Sequence, residues 1–491
     1  MSDSTSSEYP DGRTARMGLI LLCAVVFFAV VNGNMVNVAL PFIGRDFQVT
    51  EGTYGWVVTG FSLAFGIFNA IHGRLADRIG LRRLYAFGVA TLGATSLLLA
   101  LSPNIGTAIA LRIVQGAGSA ALPALGTVII ARLFAPDRRG VAMGWVLASV
   151  GVAASIGPFL GGLLVQIGGW RLVFASTSLV LVAIPAIWVL LPASLDERTE
   201  QPFDLMGAIL LGSGISAWLY AFNMLERMGP GLEFGLLLVG GAIALALFVW
   251  HIQRADDPFA DPLLFVDIRY VLSATVAFLV NATRFGTIVL VPIFLIEVNE
   301  VAPITVGLVL LPGAICIAVV SPISGRIGDA IGARIPVVAG CILIIAGNIV
   351  TALTAGAPIL GPTVGMGLYG LGFAFIQSPL VSATSQILPP RLAGTGMGIF
   401  LMIFFLGGAF GVALSVTAVE LQASATTGWF GLTSGAGAVY SNAIFTLTIL
   451  AIIALVLTPW IPGHLPKPLK KRAQLNFGLA DQAPVEADRE G

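Results

Sequence analysis

Apolar stretches long enough to cross a bilayer recur along almost the whole chain, and this constrains the fold more than any other feature. A membrane-spanning helix takes ~20 apolar residues. Fourteen such stretches lie near 17–41, 54–72, 84–103, 106–131, 140–168, 171–192, 204–224, 232–252, 271–296, 303–324, 335–356, 360–388, 394–420 and 438–461. In hydrocarbon the backbone polar groups must be satisfied within the segment, which favours helix. The expected fold is an all-α polytopic membrane protein with fourteen transmembrane helices. Charged residues make up only 10% of the chain, against roughly 25% in soluble proteins, so a soluble enzyme is excluded. The first stretch is too long for a signal-peptide core and reads as an uncleaved helix.

The scarce polar chemistry narrows the function. Lys+Arg and Asp+Glu are both 25, a balance that gives no reason to expect a nucleic-acid partner. The three lysines, Lys467, Lys470 and Lys471, all lie near the C-terminus. The chain therefore has no Walker A lysine to hold a nucleotide and no lysine within a span to hold retinal. Cys23, Cys316 and Cys341 sit in apolar runs as small hydrophobes, and His72, His251 and His464 are far apart. Neither a metal site nor a cofactor is expected.

Arginine and lysine also set an orientation. With the N-terminus in the cytoplasm, 20 of the 25 basic residues fall on cytoplasmic segments and only Arg45, Arg171 and Arg227 on outer ones. Such asymmetry is the positive-inside pattern. Both termini are expected in the cytoplasm of a cell carrying the protein in its inner or plasma membrane.

The chain repeats itself. Gly73-Arg-Leu-Ala-Asp77-Arg78-Ile-Gly80 returns as Gly325-Arg-Ile-Gly-Asp329-Ala-Ile-Gly332, an offset of 252. Pro41 with Asp46 matches Pro292 with Glu297, and Pro136…Gly140…Met143-Gly144 matches Pro390…Gly394…Met397-Gly398. Transporters are often built from such halves. The expected organisation is a cytoplasmic tail at 1–16, a six-helix bundle at 17–203, two inserted helices at 204–252, a cytoplasmic loop at 253–270, a second bundle at 271–461 and a tail at 462–491. A substrate path belongs between the bundles.

Three motifs carry more information than span length. The 73–83 loop sets Asp77 among four arginines, Arg74, Arg78, Arg82 and Arg83, with glycines at Gly73 and Gly80. Arg112 lies a few residues inside an apolar run, in the order Arg112-Ile-Val-Gln115-Gly116-Ala-Gly118. Ala153, Gly157 and Gly161 share one helix face, which permits close helix contact, and Pro158 removes a helix hydrogen bond. The loop resembles the signature loop of the major facilitator superfamily. The Arg112 motif resembles that superfamily's helix-4 motif, whose arginine is linked to proton coupling. The Gly157-Pro158-Phe-Leu-Gly161-Gly162 string resembles the antiporter motif of its drug exporters. Fourteen spans, together with Asp204-Leu-Met-Gly207 and Asp261-Pro-Leu-Leu, resemble the EmrB/QacA-type drug:proton antiporters. The resemblance covers about 17–461 and implies the major facilitator fold, with export by proton antiport and rocker-switch alternating access. Gly73, Asp77, Arg78, Arg112, Gly157, Pro158 and Gly161 are then the gating and coupling residues.

The first helix departs from that pattern. It reads Asn32-Gly33-Asn34-Met35-Val36-Asn37-Val38-Ala39-Leu40-Pro41, with Asn32 where the family usually has a titratable Asp. Adding the 251-residue offset of the Pro41–Pro292 pair to Gly33 lands on Arg284, about 20 Å into its span at 1.5 Å per residue. A charge at such depth faces a cavity or a partner. Asn32, Asn34, Asn37, Asn281 and Arg284 are therefore expected to form a central site for anionic or neutral polar substrates. A proton, if exchanged, would use Asp46, Glu226 or Glu297. The expected partners are a small-molecule substrate, protons under an antiport mechanism, and the lipid bilayer, with the chain a monomer. The alternatives are a facilitator or importer without proton exchange and a polytopic membrane enzyme; the latter lacks a catalytic cluster and a large loop.

Overall fold

The computed structural model describes residues 12–134, 136–196, 204–228, 231–255, 258, 261–388 and 393–461. The side chain of Asp77, the Gly73 site, and the side chains of Arg74, Glu226 and Asp329 also lie outside the described set, as does Arg391. Every one of the fourteen apolar stretches falls on helix. In chain order the helices are α1 (Gly12–Phe47), α2 (Glu51–Ile79), α3 (Leu81–Ala100), α4 (Ile105–Ser119), α5 (Ala121–Leu133), α6 (Pro136–Thr177), α7 (Ala183–Leu190), α8 (Leu205–Met228) and α9 (Leu232–Ile252). They continue as α10 (Ile268–Glu297), α11 (Pro303–Ile331), α12 (Arg334–Leu353), α13 (Leu360–Ile387), α14 (Ala393–Leu421) and α15 (Ala436–Leu457). Among the described residues, eleven helical segments are long and apolar enough to cross a membrane. The 140–168 and 171–192 stretches contribute to one apolar segment, Ile156–Leu190, that runs through non-helical backbone at Gly168 and Gly169.

The repeat is written in the backbone as well as the sequence. Gly80 ends α2 at φ 101° and Gly332 ends α11 at φ 90°, a region that side chains with a Cβ rarely enter. Each donates its N–H to the carbonyl four residues back, Ala76 and Gly328, at 2.9 Å in both. Pro41 and Pro292 likewise sit inside α1 and α10.

Two seams join α1–α7 to α10–α15. Along one, α2 packs on α14; along the other, α6 packs on α11. The repeat pairs α2 with α11 and α6 with α14, so each seam is the two-fold counterpart of the other. A methyl added at Gly162 would lie 2.2 Å from the Pro303 carbonyl oxygen, and one at Gly307 2.6 Å from that of Pro158. Glycine there lets the two helices touch backbone to backbone.

The α8–α9 hairpin stands outside this symmetry. Its helices pack on each other, and α8 touches both α2 and α14. Asp204 caps α8 through the Gly207 N–H at 2.8 Å and holds His251 of α9 at 2.7 Å. That explains the Asp204-Leu-Met-Gly207 motif as a local tie between the two helices.

Candidate functional site

A cavity lies between the halves, lined by Asn34 and Asn37 of α1, Ala154 and Pro158 of α6, Arg284 and Ile288 of α10, Leu310, Gly313, Ala314 and Ile317 of α11, and Tyr369 of α13. Arg284 is 16 residues into α10, about 24 Å from its start at 1.5 Å per residue, which is half the length of the helix. Its guanidinium carbon stacks over Phe373 at 4.5 Å and stands 5.3 Å from the Phe285 centroid. Arg284 Nε, the Tyr369 hydroxyl and Asn37 Oδ1 are buried and have no hydrogen-bond partner in the protein. All three belong to residues lining one cavity. Two are donors and one an acceptor. Among the described residues no carboxylate pairs with Arg284, so the site is cationic.

A second polar network lies inside the first half. Arg112 is 1% exposed, and its Nε donates to the Val57 carbonyl at 2.8 Å. Its Nη1 donates to Asn32 Oδ1 at 3.1 Å and to Gln115 Oε1, and its plane covers Phe61 at 4.1 Å. Gln115 passes the chain on to Ser96 at 2.7 Å, and Asn32 donates to Thr177 at 3.1 Å. Four side chains on α1, α3, α4 and α6 are thus tied around one buried cation with amide and hydroxyl oxygens.

The halves are fastened where α1 ends and α2 begins. Arg45 pairs with Glu297 at 3.0 Å, the Gly52 N–H donates to Glu420 at 2.9 Å, and the Tyr440 hydroxyl donates to Glu51. All three bonds cross from one half to the other. Glu51 precedes the 54–72 stretch, and burial, reinforced by the nearby Glu297 and Glu420, pushes its carboxyl up to about 7 despite the Tyr440 bond. Asp46, the repeat counterpart of Glu297, instead pairs with Arg171 and Trp170 inside the first half.

This arrangement has a known relative. A family model described as the Major Facilitator Superfamily matches residues 22–412. The chain belongs to the Major Facilitator Superfamily. It is a multi-pass membrane transporter and not an enzyme. It is 31% identical over 420 residues to the multidrug resistance protein Stp of Mycobacterium tuberculosis, covering 84% of this chain and 78% of that one. It is 27% identical to the riboflavin transporter RibZ of Clostridioides difficile over 80% of this chain and 86% of that one. Its fold matches the inward-facing, unoccupied crystal structure of a bacterial homologue of the lysosomal transporter Spinster with a TM-score of 0.65, at 14% identity over 97% of this chain and all of that one.

Within this Major Facilitator Superfamily member, the residues expected to form one central site divide. Asn34, Asn37 and Arg284 line the cavity. Asn32 does not: it is fully buried and bonded to Arg112 and Thr177. Asn281 is also fully buried, its amide donating 2.7 Å to the Phe404 carbonyl of α14. Gly157 and Gly161 press α6 onto α1, since a methyl at Gly157 would lie 2.7 Å from Asn34 Cβ and one at Gly161 2.8 Å from Met35 Cα. Pro158 lines the cavity itself. Arg78 is exposed at the end of α2, while the side chain of Asp77 and the Gly73 site lie outside the described residues. From the same loop, Arg82 donates to the Leu191 carbonyl at 3.2 Å and stacks on Trp188. Tyr369, Phe373, Glu51 and Glu420 are the site residues the sequence did not single out. A tyrosine deep in an apolar span needs a partner for its hydroxyl, and that was the available signal for Tyr369.

Proposed function

We propose that the chain is a secondary exporter of small anionic or neutral polar molecules, bound at Arg284 and moved by rocking one half against the other. The observation that carries this reading is the cavity between the halves, with an acid-free guanidinium and three unpaired polar atoms on its lining residues. A buried cation with open hydrogen-bonding capacity favours an anion or a dipole and repels lipophilic cations. The direction of transport rests on the antiporter-like Gly157-Pro158 string and on the likeness to Stp. The orientation, both termini cytoplasmic, rests on the distribution of Lys and Arg. The same motifs and the α8–α9 hairpin support a fourteen-helix EmrB/QacA-type membership.

Proton exchange is a second reading, favoured by one observation: Glu51 sits buried at the inter-half fastening with its carboxyl near neutrality. The test is flux in proteoliposomes. Export of an organic anion should be measured with and without an imposed pH gradient, in wild type and Arg284→Ala. Loss of anion flux in the variant supports the site; equal flux in both overturns it. Flux indifferent to the gradient replaces antiport by facilitation.

A further inference from the structure

A second cavity adjoins the first on α10 and α13. Its lining includes Ala277 and Val280 of α10, Phe373 and Gln377 of α13, and Phe400 and Phe404 of α14. On α10 it lies about seven residues toward the helix start from Arg284, a rise of ~10 Å. Positions 277, 280, 284 and 288 follow one face of α10, and 369, 373, 376 and 380 one face of α13. The cavities are thus stacked along common faces, and the Arg284–Phe373 pair stands between them, one partner lining each. Both are lined mainly by apolar side chains, but the first adds Asn34, Asn37, Arg284 and Tyr369, whereas the second has Gln377 as its single polar side chain.

We propose that the second cavity is the subsite for the apolar body of the substrate, whose anionic or polar head is held at Arg284. The substrate class is then an amphipathic organic anion with an aromatic or short alkyl body. This rests on the Arg284 reading and sharpens it. A cation above a ring serves both parts at once: its edge offers hydrogen bonds to the head, while Phe373 offers its other surface to the body. The apolar cavity also lies on the side of Arg284 nearer the α2–α3 end, the cytoplasmic end under the proposed orientation. An amphipathic molecule entering from there would meet the apolar chamber before the charge.

The test uses two permanently charged probes with the purified full chain in nanodiscs. Methanesulfonate carries the head alone, and 1-naphthalenesulfonate adds an apolar aromatic body. Wild type is expected to bind the second at least tenfold more tightly than the first. Ala277→Phe, which fills the chamber, should bring the ratio of the two affinities close to one. Equal affinities in wild type, with both lost in Arg284→Ala, overturn the subsite and leave the Arg284 reading standing. Binding of neither probe, or binding unaffected by Arg284→Ala, overturns both. Should Ala277→Phe not fold, Gln377→Leu decides: a ratio kept or raised supports the chamber, and a ratio that falls overturns it.

Discussion

Arg112 donates to Asn32 across 3.1 Å, so the buried cation of the first half is held by an amide where an acid would have made an ion pair. An amide cannot release a proton when the helices around it move. The network is therefore a fixed brace between α1, α3, α4 and α6. The sequence placed Asn32 with Arg284; in the structure the nearby guanidinium is that of Arg112.

The brace should be costly to cut. Arg112→Ala strands the carbonyl oxygens of Asn32, Gln115 and Val57, and hydrogen bonds to a charged group are worth about 1.5–3 kcal/mol each. A loss of ~3 kcal/mol or more follows, seen as a lower thermal midpoint of the detergent-solubilised protein. Asn32→Asp should instead keep the brace, because the carboxylate would pair with Arg112; a thermal midpoint lowered as far as in Arg112→Ala would refute the placement.

At the cavity, Arg284→Ala should lower anion flux at least tenfold, a factor worth about 1.4 kcal/mol, with membrane insertion retained. Arg284→Lys should recover only part of it, since a compact ammonium lacks the planar face that stacks on Phe373. The check is initial rate of counterflow in vesicles containing equal amounts of each protein.

Gly157 sets the position of Asn34 through a close helix contact. Gly157→Val should push α6 from α1 and weaken substrate binding severalfold without changing expression. Binding to the solubilised protein measures this directly, and unchanged affinity would remove Gly157 from the argument.

The inter-half fastening should respond to pH with a definite sign. Glu51 takes its proton near 7 when buried in the closed seam, and near the ordinary value of about 4.3 when exposed to water. The closed seam thus binds more protons, so between these values it is favoured as pH falls and disfavoured as pH rises, by up to tenfold per unit. Below both values and above both, the contribution is constant. Glu51→Gln should flatten the response, and Tyr440→Phe, which removes the hydrogen bond that favours the carboxylate, should move it to higher pH. Distances between spin labels on Thr53 and Thr433, followed across pH 4.5–7.5, provide the readout.

The architecture was largely legible because span length, Gly/Pro punctuation and the 252-residue offset are properties of local sequence. Gly80 and Gly332 even recur with the same unusual φ. The site was legible in part. Arg284 stands out because a charge inside an apolar span needs an explanation. Asn32 and Asn34, however, are two residues apart and cannot share a helix face, while Asn34 and Asn37 can; periodicity already separated them. The Tyr440–Glu51 and Gly52–Glu420 bonds span 389 and 368 residues. No spacing rule reaches across such distances, and only the packing of α2 against α14, with α15 beside it, brings those groups together.

The α8–α9 hairpin has a mechanical consequence. Because α8 rests on α2 and α14 at once, it straddles one of the two lines along which the halves meet, and among the described residues no helix from outside the two halves packs over the other. Any tilt of one half against the other must make α8 slide on α2, on α14, or on both. Under the proposed rocking motion the two seams therefore do not bear equal load: the straddled one carries a pair of helices with it, and the other does not.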